Sequence, residues 1–156
     1  MADQTRKRTD EVELLAAVAA IHQLKARYFR CMDSKDWDGF AEVFTPDAVI
    51  DVNEDLGGAA GDEVGITRGN RQIADAVRGF VGDVLTVHHG HMPEIEITSP
   101  TTARGIWAME DMLRWPAGAA MREMHGYGHY HETYEKIDGR WCISSLRLTR
   151  LRVDTE

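Results

Sequence analysis

Thr102-Ala103-Arg104-Gly105-Ile106-Trp107-Ala108-Met109-Glu110-Asp111-Met112-Leu113-Arg114-Trp115 is the stretch on which the fold turns. Ala103, Gly105, Trp107, Met109, Leu113 and Trp115 share one face of an extended chain. Thr102, Arg104, Glu110 and Arg114 share the other, which is the period of two of a half-buried β-strand. Asp111 intrudes on the apolar face, and Ile106, Ala108 and Met112 on the polar one. Around this run lie three more of the same kind: Leu85–Thr98, Glu123–Ile137 and Arg140–Val153. Ser99-Pro100-Thr101 and Asp138-Gly139 are tight turns, the second a strong hairpin signal, and Pro116–Ala120 is a looser one. In the first run the alternation breaks at Pro93, which predicts a bulge or a strand edge there.

Upstream the period changes. Leu14, Val18, Ile21, Leu24 or Lys25, Tyr28 and Cys31 recur at steps of three and four, one apolar stripe of a helix that Thr9 or Asp10 can cap. Met32-Asp33-Ser34-Lys35-Asp36 interrupts the stripe, and Ser34 or Asp36 can cap a short second helix from Trp37 to Phe44, stopped by Thr45-Pro46-Asp47. Ala48–Val52 reads as a short strand and Asn53–Gly65, rich in glycine and acids, as a loop suited to a lid. Val64–Arg68 reads as an edge strand, and Asn70 as the cap of a third helix through Phe80. Helices early and strands late predict one α+β domain over residues 10–153, with 1–9 a frayed terminus. Its cone-shaped, curved mixed sheet is closed by three N-terminal helices around an interior suited to a small molecule.

The composition narrows the function. At 156 residues with 43% hydrophobic and 28% charged residues, the chain has the make-up of a single globular core rather than a disordered segment. A net charge of −8 disfavours nucleic acid and anionic membrane surfaces as partners. No apolar run approaches the roughly 20 residues of a bilayer span, and no apolar segment follows the basic N-terminus as in a secretory signal. Cys31 and Cys142 lack metal-type spacing and read as buried, reduced thiols of a cytoplasmic protein.

Three of the seven histidines crowd the stretch Thr86-Val87-His88-His89-Gly90-His91. Imidazoles titrate near neutrality, so such crowding suits proton transfer or metal binding better than packing. Because of the break at Pro93, His88 and His89 are equal candidates for the inward-facing ring on pattern alone. His89 with His91, or His129 with His131, stand at alternate strand positions and could point together at a metal, a spacing that also arises readily by chance.

Arg27-Tyr28-Phe29-Arg30-Cys31-Met32-Asp33-Ser34-Lys35-Asp36-Trp37, Thr45-Pro46-Asp47-Ala48 and Asp138-Gly139-Arg140-Trp141 resemble signatures of the SnoaL-like, nuclear-transport-factor-like superfamily. The likeness runs from about Glu11 to Val153. Asp33-Ser34-Lys35-Asp36-Trp37-Asp38 resembles the run holding the catalytic aspartate of scytalone dehydratases, and Thr86-Val87-His88 their Thr-x-His. Hexachlorocyclohexane dehydrochlorinases resemble the chain in the same Asp–His pair. Bile-acid dehydratases carry a tyrosine five residues before the aspartate, here Tyr28. The resemblance therefore implies His88 as base, Asp33 as its support and Tyr28 as a donor to the substrate, with neither metal nor cofactor.

Met32 and Val52 fall where scytalone dehydratases hold a water with two tyrosines, and Trp107 where they have a second pocket histidine. These departures favour a flatter, more apolar ligand, such as a steroid, polyketide or aromatic ring, against Trp107, Met109 and Tyr130. The expectation is a cofactor-independent lyase of dehydratase type, or an isomerase, working as a homodimer or homotrimer. The alternatives are a non-catalytic binding protein and the structural small subunit of a ring-hydroxylating dioxygenase, for which a retained Asp–His pair has no use.

Overall fold

The computed structural model describes the backbone of residues 2–59 and 61–156, and the side chains of 11–54, 57–59 and 61–156. Helix α1 spans Ala2–Asp33. It starts ahead of the Thr9 or Asp10 cap and takes in residues 2–9 of the segment expected to fray, because nothing from Ala2 to Arg8 breaks a helix; Met1 lies outside the described residues. Its buried positions are Ile21, Leu24, Lys25, Tyr28, Cys31 and Met32, the lower half of the expected stripe, whereas Leu14 is exposed. Lys35 then takes a left-handed φ of 62° and Asp36 caps α2 (Trp37–Ala41), accepting the Gly39 N–H at 3.0 Å. The second helix ends short of Phe44, which opens strand β1 (Phe44–Asp51) instead.

Strand β1 lies parallel to β7 (Arg140–Thr155), pairing Phe44 with Ile143 and Val49 with Ser145. The register shifts between those pairs, which accommodates Pro46 and its missing N–H. The edge strand β2 (Ile66–Arg68) follows two short 3₁₀ turns, and α3 (Asn70–Val81) starts from Gly69 at φ 91°, so Asn70 is its first residue and not its cap.

The expected run Leu85–Thr98 is two strands, β3 (Leu85–Gly90) and β4 (Glu94–Ser99), parted at His91-Met92-Pro93. Both pair antiparallel with β5 (Thr102–Arg114), β3 along its C-terminal half and β4 along its N-terminal half. Then come β6 (Glu123–Ile137) and the hairpin Asp138-Gly139, both at positive φ as a two-residue turn demands. The curved, mixed sheet runs β2-β1-β7-β6-β5-β3, with β4 beside β5. Ile21, Leu24 and Tyr28 of α1, Phe40 of α2 and Ile73 of α3 share one core with Trp107, Tyr130, Ile143 and Leu146 of the sheet.

The loop read as a lid is tied down. Asn53, 1% exposed, donates through Nδ2 to Asp51 Oδ1 (2.8 Å) and the Asp62 carbonyl (2.7 Å), and accepts the Gly65 N–H (2.9 Å). Among the described residues no helix is long and apolar enough to cross a membrane.

Candidate functional site

Between the lower half of α1, α3 and the inner face of the sheet lies a cavity of about 310 Å³. Tyr28, Met32, Val52 and Tyr130 border it, together with His88, Asp111 and Arg150. A larger depression, about 850 Å³, lies on the opposite side of the sheet between Arg104, His131 and Arg147, open to solvent. It touches neither His88 nor Tyr28.

Strand β3 sends His88 inward and His89 outward, which settles what the sequence pattern left open. His88 is 8% exposed and pairs across the sheet with Asp111, itself on the buried face of β5. Its Nδ1 lies 2.7 Å from Asp33 Oδ1, and its backbone N–H donates to Asp33 Oδ2 at 2.9 Å. The Thr86 hydroxyl donates to the same carboxylate at 2.9 Å, and Lys35 Nζ donates to that hydroxyl at 3.0 Å. Half-burial alone pushes the Asp33 carboxyl up, but the hydrogen bonds from the His88 ring and backbone, the ring's charge and the Thr86 bond together outweigh it, so its pKa lies below the usual 3.8. An ionised carboxylate only accepts hydrogen bonds, so Nδ1 carries the hydrogen and the Nε2 lone pair of a neutral ring is left for other work.

The depressed Asp33 pKa has a consequence for stability. Because the folded-state value is below the unfolded one, ionised Asp33 stabilises the fold above the unfolded pKa of about 3.8, and that contribution fades as pH falls through the folded value. Urea unfolding of Asp33→Asn should therefore show a shallower loss of stability on acidification than the unsubstituted protein. Parallel acid limbs would refute the assignment.

Five residues along a helix set Tyr28 and Asp33 roughly 140° apart, so the two would share a face only if the helix loosened near Met32. α1 instead stays helical through Asp33. Asp33 holds the His88 ring through Nδ1, while Tyr28 lines the cavity that His88 also borders.

Two expected pocket residues lie elsewhere. Trp107 has the right face but sits deeper, edge-on to His22 of α1 with ring centres 5.3 Å apart, its Nε1 donating to the Tyr134 hydroxyl at 2.8 Å. Met109 is 3% exposed, with Arg150 Nη1 3.6 Å from its sulfur. Parity gave their face correctly, but the helix and Arg150 cover them.

Two buried charged pairs belong to the same region and left little trace in the sequence. Arg150 grips Asp111 with two bonds, Nη1 to Oδ1 at 2.9 Å and Nη2 to Oδ2 at 2.8 Å, both side chains nearly buried. The signals were Asp111 on an apolar face and Gly126 opposite it on β6, where any Cβ would collide with Asp111 Oδ1 and Arg150 Nη1. Gly126→Ala should therefore force the pair apart and cost about 3 kcal/mol, read from urea midpoints; a midpoint at the original value would show that the pair tolerates the methyl. The second pair, Lys25 Nζ with Glu132 Oε1 at 2.5 Å, is wholly buried, and neither residue borders the cavity.

The other histidines of the cluster belong to the outer face. His89 Nδ1 and His125 Nε2 lie 3.3 and 3.1 Å from Glu110, and His91 Nε2 3.7 Å from it. Among the described residues no three His, Cys, Asp or Glu side chains are set to hold a metal ion.

Comparison with known proteins agrees with the fold. The SnoaL-like domain matches residues 13–147. The chain is 31% identical over 147 residues to Probable cyclase FGR4 of Gibberella zeae, covering 86% of this chain and 91% of that protein. Its structure is similar to hexachlorocyclohexane dehydrochlorinase LinA type 2, with a TM-score of 0.78, 20% identity and 94% and 93% of the two chains covered. It is also similar to LinA-type3 from Novosphingobium barchaimii, with a TM-score of 0.77, 21% identity and 94% of each chain covered. The domain match, spanning most of the chain, and the relative of similar length together carry the assignment: this chain belongs to the SnoaL-like domain family.

Proposed function

We propose that this protein is a cofactor-independent lyase or isomerase of small hydrophobic ring compounds, with His88 as its base. The observation that carries the reading is the inward His88 ring held through Nδ1 by Asp33 on the wall of a largely apolar cavity. His88 Nε2 takes a proton from a ring carbon, and Asp33 steadies the imidazolium that forms. In an elimination the freed C–H electron pair becomes the new double bond while the neighbouring C–O or C–Cl bond breaks. Tyr28 hands a proton to a departing hydroxide, which leaves as water, whereas chloride leaves as the anion. In an isomerisation the pair moves onto a neighbouring carbonyl, Tyr28 donates a hydrogen bond to the resulting enolate oxygen, and His88 returns the proton at another carbon. In a ring closure the enolate carbon bonds to a second carbonyl carbon, whose oxygen takes the proton from His88. Arg150 and Asp111, bonded to each other, set an ion pair in the wall of the same cavity. The relative named as a cyclase and the structural neighbours named as dehydrochlorinases support carbon-acid chemistry of this kind.

The test is a panel of hydroxylated, chlorinated and keto-bearing ring compounds incubated with the protein in deuterium oxide and read by mass spectrometry. Loss of water or of hydrogen chloride marks a lyase, and uptake of deuterium without loss marks an isomerase. Tight binding of panel members without any transformation would overturn the catalytic reading in favour of a carrier.

A further inference from the structure

Lys25 stands in an unusual place for a cation. It is 1% exposed and does not border the cavity, yet its ammonium lies 4.0 Å from the ring centre of Tyr28 and 3.7 Å from that of Tyr130, the two tyrosines that do. Phe29 is the third ring around it, at 4.8 Å. The helix explains the approach, since Tyr28 and Phe29 follow Lys25 by three and four residues and so share its face. Glu132 neutralises the ammonium from the other side and takes the Tyr134 hydroxyl at 2.6 Å, which in turn accepts from Trp107. Burial pushes the Lys25 pKa down and Glu132 pushes it up, leaving it at about 8, so the ammonium is the main form at neutral pH.

A core position that needed only packing would be filled by Leu or Met without the cost of desolvating a charge pair. What the pair adds is a fixed cation against the faces of two phenols, held there by Glu132 Oε1 at 2.5 Å. A cation on the face of an aromatic ring is attracted to its electrons and favours the more electron-rich phenolate over the phenol.

We propose that Lys25 is a positioning residue that acts through Tyr28 and Tyr130, making their hydroxyls stronger donors to an oxygen that gains negative charge in the cavity. The preferred ligand is then one that develops an enolate-like or phenolate-like oxygen, in place of a pure hydrocarbon or a simple chloride elimination. This rests on the reading of the cavity as a proton-transfer site, and its test uses no turnover, so it can fail while the role of His88 stands, and the reverse.

The experiment replaces tyrosine throughout the protein by 3,5-difluorotyrosine, whose phenol ionises near neutrality, where Lys25 is charged. Fluorine NMR follows the midpoint of each ring, assigned by Tyr28→Phe and Tyr130→Phe. The titratable and charged groups facing the two phenols and Lys25 are Glu132 and Tyr134 on β6, His88 on β3, Asp111 on β5 and Arg150 on β7. All except Glu132 are kept in the variant Lys25→Met/Glu132→Gln. There the Tyr28 and Tyr130 midpoints should rise by about one pH unit or more, roughly tenfold in acidity, while that of Tyr127 on the outer face stays put. A purely structural pair would alter stability without moving those midpoints. Should the first variant not fold, Lys25→Gln/Glu132→Gln keeps a neutral hydrogen-bonded pair and serves the same comparison. Unchanged or lowered midpoints for both rings overturn the proposal.

Discussion

His88→Ala is expected to lower kcat by about 10²–10⁴-fold, the usual worth of a positioned general base, with little change in KM. A base acts on the proton only as the transition state forms, so kcat and kcat/KM should fall together while ground-state binding in the apolar cavity survives. The variant should still fold, because Asp33 keeps the backbone N–H of residue 88 and the Thr86 hydroxyl as partners. Asp33→Asn should act in the same direction through the ring. An amide can turn its N–H toward Nδ1, which would place the imidazole hydrogen on Nε2 and remove the lone pair from the cavity. Turnover that survives both substitutions would remove His88 from the mechanism.

The second large effect concerns stability. Glu132→Ala should destabilise the fold by about 3–5 kcal/mol, since it leaves an ammonium buried without its carboxylate. The Tyr134 hydroxyl loses its acceptor in the same step. Lys25→Met/Glu132→Gln removes both charges at similar volume, keeps an acceptor for Tyr134, and should lie within about 2 kcal/mol of the unsubstituted protein. Urea unfolding of the single and double variants reads this directly. A single variant as stable as the double would mean that the pair is reached by water.

The fold was largely legible because its signals are local. The period-two run is strand β5 from Thr102 to Arg114, one residue short of Trp115, with buried residues alternating without exception from Ala103 to Leu113, and Asp138-Gly139 forms the expected turn. Errors lie where long-range pairing overrides local pattern. Phe44 looks like the end of a helix but opens a strand, because Ile143 of β7 offers it a parallel partner and the register shift that follows takes up Pro46. The orientation of His88 was hidden by the break at Pro93. It follows from register, since His88 faces Asp111, whose inward parity is plain from β5 itself.

Depth is the other thing periodicity does not carry. Trp107 and Met109 are inward, as their parity says, but which side chain covers an inward position depends on where α1 and Arg150 lie. Lys25 and Glu132 are 107 residues apart, and neither hydrophobic stripe foretells the pairing. Their only local trace is a charge at an apolar position in each element, as Asp111 also shows. Charges on buried faces were the readable sign of this site, and more telling than the surplus of histidines beside it.

The most direct test of the account needs no substrate. Nitrogen-15 NMR of the imidazoles, with His88 assigned by its alanine variant, reports which ring nitrogen carries the hydrogen in the neutral ring. Hydrogen is expected on Nδ1, bonded to Asp33, with a bare Nε2 in His88 and the preference lost in Asp33→Asn. A neutral His88 protonated on Nε2 in the unsubstituted protein would leave no base facing the cavity and would contradict the mechanism.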